Sequence, residues 1–564
     1  MIDYTKRQTY EIVRSNLTND RQSWLTHWKE IADVLLPRRL QYLISDTNKG
    51  YRVNQKIVDP TGTLALRHLT AWLMSMISSP AKQWSRLTTH DPDMAEFEAV
   101  KNWLYIVTNN MHNVFLRTNL YRVLPQVYRD IAGFGTSAIL IEEDLDGNVM
   151  RFKSFPLGSY MVSTDNQGKV NTFFREFRMT VRQLLQEFGK KNEQGKIDFS
   201  NFSSQVKTYY DSKQHDKWID VCNIIMPNDD WKPNNPLSKK YVSTYYENNA
   251  ADDDKFLRES GYNYFPVLCP RWEVNGEDVY GSGCPGMDAL GEIKELQLLK
   301  KRKAQAHEKH VSPPMIASAS LRNSVISTLP SGITWVGERE FKDGGLKPAY
   351  QVQPDTSGIL MDIQDVRQII KRTFYEDLFL MFAQMGGENM TAREVDERHE
   401  EKLYILGSVY EGLNTDLFDL LHEIAFDIMN RQGLIPEPPQ ELQGVPLKIE
   451  YLSIMAQTQK LIGTGGIERF NMFAKSVAEI NPQSMDKVDT DQMLDVYSDL
   501  TSIPPGIVRS DDKVEEIRQA RAEAEAQQRN AEAQMMEAKS MKDLSQVDME
   551  GKNALTQIVK GGGA

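Results

Sequence analysis

Cysteine is scarce: the 564-residue chain has three, Cys222, Cys269 and Cys284. They lack the close pairing of a metal knuckle or a disulfide framework, so free thiols in a reducing compartment are expected. Positive charge is also short. Lysine and arginine total 66 against 78 acids, a net charge of −12, whereas proteins that grip nucleic acid neutralise its phosphates with a surplus of cations. Tight nucleic-acid binding is thereby disfavoured, though a surface past which DNA slides is not. Long apolar runs are missing as well. The longest, around Leu69 to Ile77, is far too short to cross a bilayer, and the N-terminus, with Asp3, Lys6 and Arg7, opens on no apolar stretch. No membrane association and synthesis in a cytoplasm are expected. Nor is there a glycine-rich loop ending in Gly-Lys-Ser or Gly-Lys-Thr, which removes the usual nucleotide-hydrolysing motor.

What is present, 40% hydrophobic and 26% charged residues, suffices for several folded modules. Trp24, Trp28, Ile31 and Leu35 fall at spacings of three and four before Pro37, and the chain reads as helical to about Asn119. Ala138 to Ile141 and Val149 to Phe152 flank Asp146-Gly147 as a hairpin. Asn166-Gln167-Gly168 then precedes a strand from Val170 to Phe177. From Gly189 to about Asn263 the chain is broken by Gly, Pro and Asn, and loops with short strands are expected.

The second half has longer periodic segments. Met287, Leu290, Ile293, Leu296 and Leu299 recur every three residues, so the stripe drifts round its helix and requires neighbours on more than one side. A basic run, Lys300, Lys301, Arg302 and Lys303, follows, and Ser312-Pro313-Pro314 ends the helix. A segment rich in β-formers and turn residues, with Ile333 to Val336 as its best strand, leads to a second helix carrying Ile359, Ile363, Val366, Ile370, Phe374, Leu378 and Met381. Gly386-Gly387 interrupts it. Thr391 and Glu394 then supply a capping box, each satisfying an orphan backbone donor. The third helix it starts bears Leu406, Val409, Leu413, Leu417, Leu420, Ile424 and Ile428, ends at Gly433 and Pro436, and would run roughly 60 Å as a strut. From Asp511 a polar helix with a thin apolar stripe fades into Gly561-Gly562-Gly563; it needs identical neighbours or stays mobile.

Several motifs invite functional readings. Gly281-Ser282-Gly283-Cys284-Pro285-Gly286 has the spacing of a dinucleotide fingerprint, but its proline and the missing βαβ unit favour a tight helix start. Ile139 to Glu143 looks like the strand and acids of a magnesium site, yet it leads into the hairpin. His307 and His310 share a helical face without further ligands, which favours solvated polar residues. No cofactor or metal is expected. A cationic run at a helix C-terminus is ordinarily a solvated end. In a cyclic assembly each lysine recurs in every subunit, and Lys300 to Lys303 would become a belt of positive charge around an acidic tunnel.

Five blocks then occur in a telling order. They are Arg21-Gln22-Ser23-Trp24 with Trp28 and Pro37-Arg38-Arg39; Asp59-Pro60-Thr61-Gly62 with Ser79-Pro80 and Trp84; Phe134-Gly135-Thr136; Tyr280-Gly281-Ser282-Gly283; and Gly387-Glu388-Asn389-Met390-Thr391-Ala392. From about Arg21 to Gly433 the chain resembles the head-to-tail connector, or portal, family of T7-like podoviruses. The resemblance implies an α+β, predominantly α portal fold assembled as a cyclic dodecameric ring at one capsid vertex. Residues 1–284 would be an N-terminal wing, 285–311 and 357–383 the two stem helices lining a tunnel, and 312–356 a clip between them. Gln384, Met385, Gly386, Gly387, Glu388, Asn389 and Met390 would form a tunnel loop facing DNA. Residues 391–433 would be a wing spine helix, 434–510 a crown, and 511–564 a C-terminal polar helix and flexible tail. The implied partners are double-stranded DNA in the channel, the major capsid protein and scaffold, the terminase large subunit, and tail adaptor and nozzle proteins. No enzyme activity is implied, and the location is the virion. Two rival classes stay open on the residues alone: an internal scaffold or core protein without a tunnel, and a metal-dependent nucleic-acid enzyme using clustered acids.

Overall fold

A capping box opens the first helix of the computed structural model, α1 (Lys6–Val34): Thr5 Oγ1 accepts from Gln8 N while Gln8 Oε1 accepts from Thr5 N. The structure describes residues 5–39, 42, 55–91, 94, 97–145, 147–191, 197–235, 238–248, 255–317, 319, 322, 338–339, 346–348, 356–377, 407, 409–452, 467, 470–478, 483, 487–500, 509 and 511–545. The expected stripe is the buried face of α1, with Trp28, Ile31 and Leu35 fully enclosed. The helical opening continues through α2 (Thr61–Ile77), α3 (Glu98–Arg117) and α4 (Leu120–Phe134), with one short strand, β1 (Ser85–Thr89), between α2 and α3.

The chain forms two compact units. The first comprises Met1–Arg86, Val107–Pro436 and Ile449–Ile462. In it, β2 (Ala138–Asp144) and β3 (Val149–Phe155) make the expected hairpin, paired from Ala138–Phe155 to Asp144–Val149. The next hairpin, β4 (Tyr160–Thr164) and β5 (Val170–Thr180), turns through Gly168 in the left-handed region.

The stretch from Gly189 to Asn263 corrects the sequence reading. After α5 (Val181–Phe188), a minor strand pair, β6 (Lys190–Lys191) and β7 (Ile197–Asp198), and α6 (Ser204–Asp211), it supplies β8 (Trp218–Pro227), β9 (Tyr241–Glu247) and β10 (Arg258–Tyr262). These join a five-stranded antiparallel sheet in the order β10-β9-β8-β5-β4, while β11 (Val267–Leu268) pairs with β2 to complete a three-stranded one. The five-stranded sheet is covered on both faces. One side packs Val221 and Ile219 against Val181, Leu184, Phe202 and Val206; the other sets Phe174, Cys222, Ile224 and Tyr246 against Tyr10 and Leu17 of α1. A strand buried on both sides loses the apolar–polar alternation that marks strands in sequence, which is why β8 escapes notice.

Further on come α7 (Pro285–Asp288), α8 (Leu290–Val311), β12 (Met315–Ala317), β13 (Leu346–Pro348) and α9 (Thr356–Thr373). Strands β12 and β13 are antiparallel, Met315 opposite Pro348, and close the base of the excursion between the two helices. The second helix, expected to run from Ser357 to Ala383, is interrupted after Thr373: Tyr375 stands at φ +59°, a left-handed conformation that breaks helical pairing, Glu376 and Asp377 are helical again, and residues 378–383 lie outside the described residues. The third helix is described at 407 and from 409 onward, and it is not uniform. A π-turn at Asn414–Asp419 precedes α10 (Leu420–Arg431). A π-turn inserts one residue and rotates all that follow. Val409, Leu413 and Leu417 are buried as expected, but Leu420 is 40% exposed and Leu421 takes its place beside Ile424 and Ile428. The regular strut is thus corrected to a helix with a bulge.

The second unit comprises Leu87–Ile106, Glu437–Lys448 and Gly463–Ala564. A last strand, β14 (Leu447–Tyr451), has its first two residues in this unit, and α11 (Thr490–Leu500) and α12 (Asp511–Ser545) follow. Arg518 of α12 forks onto Asp491 at 2.7 and 2.9 Å, and Lys513 meets Glu98 at 2.6 Å. Nearly every described side chain of α12 is exposed, in keeping with its thin stripe. Among the described residues the sheets are open, with no closed barrel, and no helix is long and apolar enough to cross a membrane.

Candidate functional site

The glycine run seats α7 and α8 on the end of α4. Gly281 N donates to Thr136 Oγ1 at 2.7 Å, and a Cβ on Gly135, itself at φ +82°, would lie 2.3 Å from the Gly281 carbonyl oxygen. Two backbones meet there at a distance only glycine allows. Tyr280 is buried edge-on to Trp28, ring centroids 5.0 Å apart, and its hydroxyl accepts from Val162 N. Cys284 then caps α7 with Pro285 in the first turn. The dinucleotide spacing is therefore a tight helix start, as expected. All three cysteines are buried and free. Burial pushes the Cys222 and Cys284 thiols up to about 12 and raises Cys269 too, which makes them inert.

The paired helices α8 and α9 pack on one another, and apolar residues of both are buried: Ile293 and Leu296 on α8, Ile363, Val366 and Ile370 on α9, with Phe374 in the turn just after it. One carboxylate fastens both. Asp59, whose side chain is 1% exposed, accepts from Arg367 Nη2 of α9 at 2.6 Å and sits 3.5 Å from Lys300 Nζ of α8. Its other oxygen caps the start of α2, taking hydrogen bonds from Thr61 N and Oγ1. Gln297 adds a second tie, accepting from Val58 N and Asp59 N while donating to Asp59 O. Lys294 adds a third, at 2.6 Å from Glu30 of α1. Positions 294, 297 and 300 lie three apart, so one face of α8 is stitched to the N-terminal segment. Burial pushes the Asp59 carboxyl up, but the hydrogen bonds from Thr61 and Arg367 outweigh it and hold the group below its ordinary range.

The structure divides the basic run. Lys300 turns inward to Asp59, Lys301 and Arg302 are exposed, and Lys303 is half-buried. His307 and His310 are exposed on the same helix. Glu142 and Glu143 lie in the β2–β3 hairpin opposite Arg151 and Met150, and among the described residues no group of three or more His, Cys, Asp or Glu could hold a metal ion. Gln384 to Met390, the cap Thr391 and Glu394, and the strand Ile333 to Val336 lie outside the described residues. Sequence reasoning missed Asp59, Gln297 and Arg367 as a unit. Asp59-Pro60-Thr61, an acid two residues before a threonine at a helix start, was the available signal, but nothing in it named partners more than 230 residues away.

The family described as bacteriophage head to tail connecting protein matches residues 7–508. The chain belongs to that family. It is 43% identical to the "Portal protein" of Salmonella phage epsilon15, over 98% of this chain and 97% of the relative. It is 39% identical to the "Probable portal protein" of Bordetella phage BPP-1, over 99% of each. A head to tail connecting protein of this kind is a phage portal, a structural part of the particle and not an enzyme.

Proposed function

We propose that this connecting protein works as a closed ring, dodecameric as in its family, at a single capsid vertex. In this reading α8 and α9 line the tunnel and double-stranded DNA passes through it during packaging and ejection. The segment between the helices, closed at its base by β12 and β13, serves as the clip on which the terminase large subunit and later the tail adaptor and nozzle proteins dock. The wing meets the major capsid protein and scaffold, and the finished assembly resides in the virion.

The carrying observation is the pair α8–α9 held to the N-terminal segment at Asp59 while its other faces stay uncovered. Leu298, Leu360, Met361 and Ile369 are all exposed in one subunit, and a ring would cover them with identical neighbours, joined head to tail until the rotation closes. Negative-stain images of the purified protein test this: rings with a central hole are expected, and solid particles or filaments would overturn it. Packaging of DNA into particles carrying deletions in Gln384 to Met390 tests the loop separately, with particles that leak or fail to fill as the expected result.

A further inference from the structure

The hairpin of α8 and α9 carries its own height scale. Lys300 of α8 and Arg367 of α9 meet the same carboxylate, Asp59, at 3.5 and 2.6 Å, so they stand at about the same level. Beyond the helix ends β12 pairs with β13, Met315 opposite Pro348, so α8 and α9 run antiparallel. A step forward along α8 therefore matches a step back along α9. Arg302 is two residues past Lys300 and Asp365 two before Arg367; Glu295 is five before Lys300 and Arg372 five past Arg367. The helices thus present opposite charges at two shared levels, roughly 3 Å to one side of Asp59 and roughly 7 Å to the other.

These charges lie on outer faces. On α8, Glu295, Leu298 and Arg302 are spaced by three and four, a single helical face turned away from buried Ile293 and Leu296, and all three are exposed. On α9, Met361, Asp365 and Arg372 form the matching exposed face, turned away from buried Ile363, Val366 and Ile370. Among the described residues Glu295, Arg302 and Asp365 make no ion pair within the subunit. Arg372 makes one, with exposed Asp377 at 3.4 Å, and such surface pairs hold weakly.

Rotation about an axis keeps height. In a cyclic ring whose axis runs along the hairpin, the α8 face of one copy meets the α9 face of the next at equal level. We propose that neighbouring copies join along these two faces, with Glu295 of one copy against Arg372 of the next and Arg302 against Asp365. Leu298 and Met361 lie in the same seam and lose their exposure to water there. The partner is a second copy of this chain, and the charge pattern says how it docks. An α8–α8 or α9–α9 meeting at equal height would oppose like charges, so the pattern selects the head-to-tail contact that closes a ring and disfavours the symmetric one.

This pairing rests on the ring reading of α8 and α9, and the experiment separates the two. Assembly of the purified full-length protein is followed by mass photometry over a range of concentrations, beside negative-stain images. Glu295→Arg and Arg372→Glu should each raise the concentration at half-assembly about tenfold, because every seam then opposes like charges. A one-to-one mixture of the two variants should assemble as wild type does, since alternating copies restore opposite charges at each seam. Pairing within a subunit would gain nothing from mixing. If either variant does not fold, Arg302→Glu and Asp365→Arg carry the same test at the other level. Single variants that assemble like wild type, or a mixture no better than its components, overturn the pairing and leave the ring. Wild type that forms no ring overturns both.

Discussion

Arg367 and Asp59 stand 308 residues apart in sequence and 2.6 Å apart in space. With Lys300 they tie the outgoing and returning helices to the cap of α2, so three segments depend on one buried carboxylate. Asp59→Asn keeps the shape but leaves two cations facing a neutral amide. Breaking a buried pair commonly costs 3–5 kcal/mol; Arg367 and Lys300 keep some solvent, so about 2 kcal/mol is expected. Urea unfolding measures it, and an unchanged midpoint would remove the clamp from the argument.

The contact between Gly135 and Gly281 predicts a sharp contrast within one residue type. Gly281→Ala places a Cβ 2.3 Å from the Gly135 carbonyl oxygen, which no rotamer relieves, and a loss of soluble, folded protein is expected. Gly291→Ala, inside α8 with nothing within 4 Å of the new Cβ, should stabilise by up to about 1 kcal/mol through helix propensity. Melting curves of the two variants read this directly.

Much of the fold was legible wherever one face of an element is buried and the other wet. The stripe Trp28, Ile31, Leu35 and the hairpin around Gly147 are examples, as is the series Ile363, Val366, Ile370 and Phe374. What was hidden has physical causes. Strand β8 is buried on both faces and does not alternate. The π-turn before Leu420 is a backbone event that no side-chain period announces, and the helical run of α9 is broken at Tyr375, a residue type that seldom takes a positive φ. The Asp59 clamp was hidden because ion pairs between distant segments leave no local pattern. Family membership, by contrast, was readable from blocks such as Gly281 to Gly283, whose backbone geometry admits few substitutes.

His422 predicts a loss of stability in acid. Its Nδ1 lies 2.7 Å from Phe418 O, which can only accept, so Nδ1 carries the proton and Nε2 accepts from Ser85 Oγ at 2.7 Å. Burial pushes the ring's pKa down from 6.5 to about 4. Between those values the unfolded chain binds a proton that the folded one refuses, so stability falls as pH drops through this window, by about 3 kcal/mol in full. Asp130 works in the opposite sense, since burial raises its carboxyl to about 6. The difference between wild type and His422→Gln, followed from pH 7 to pH 4, isolates the histidine. Parallel curves for the two proteins would contradict a neutral buried ring.

The divided basic run allows folding and DNA passage to be separated within four residues. Lys300 faces Asp59, so Lys300→Glu sets two acids against each other at a buried position and should lower the unfolding midpoint. Lys301 and Arg302 are exposed at the far side of the same helix turn, and exposed charges contribute little to stability. Lys301→Glu with Arg302→Glu should therefore melt within about 0.5 kcal/mol of wild type. If α8 lines the proposed tunnel, that double variant removes positive charge repeated in every subunit and turns the wall more acidic, so packaging should slow and depend more steeply on salt. Packaging assays at two ionic strengths, beside melting curves of all three proteins, distinguish the cases. Wild-type packaging by the double variant would place Lys301 and Arg302 away from DNA, and an unaltered melt of Lys300→Glu would place Lys300 outside the clamp.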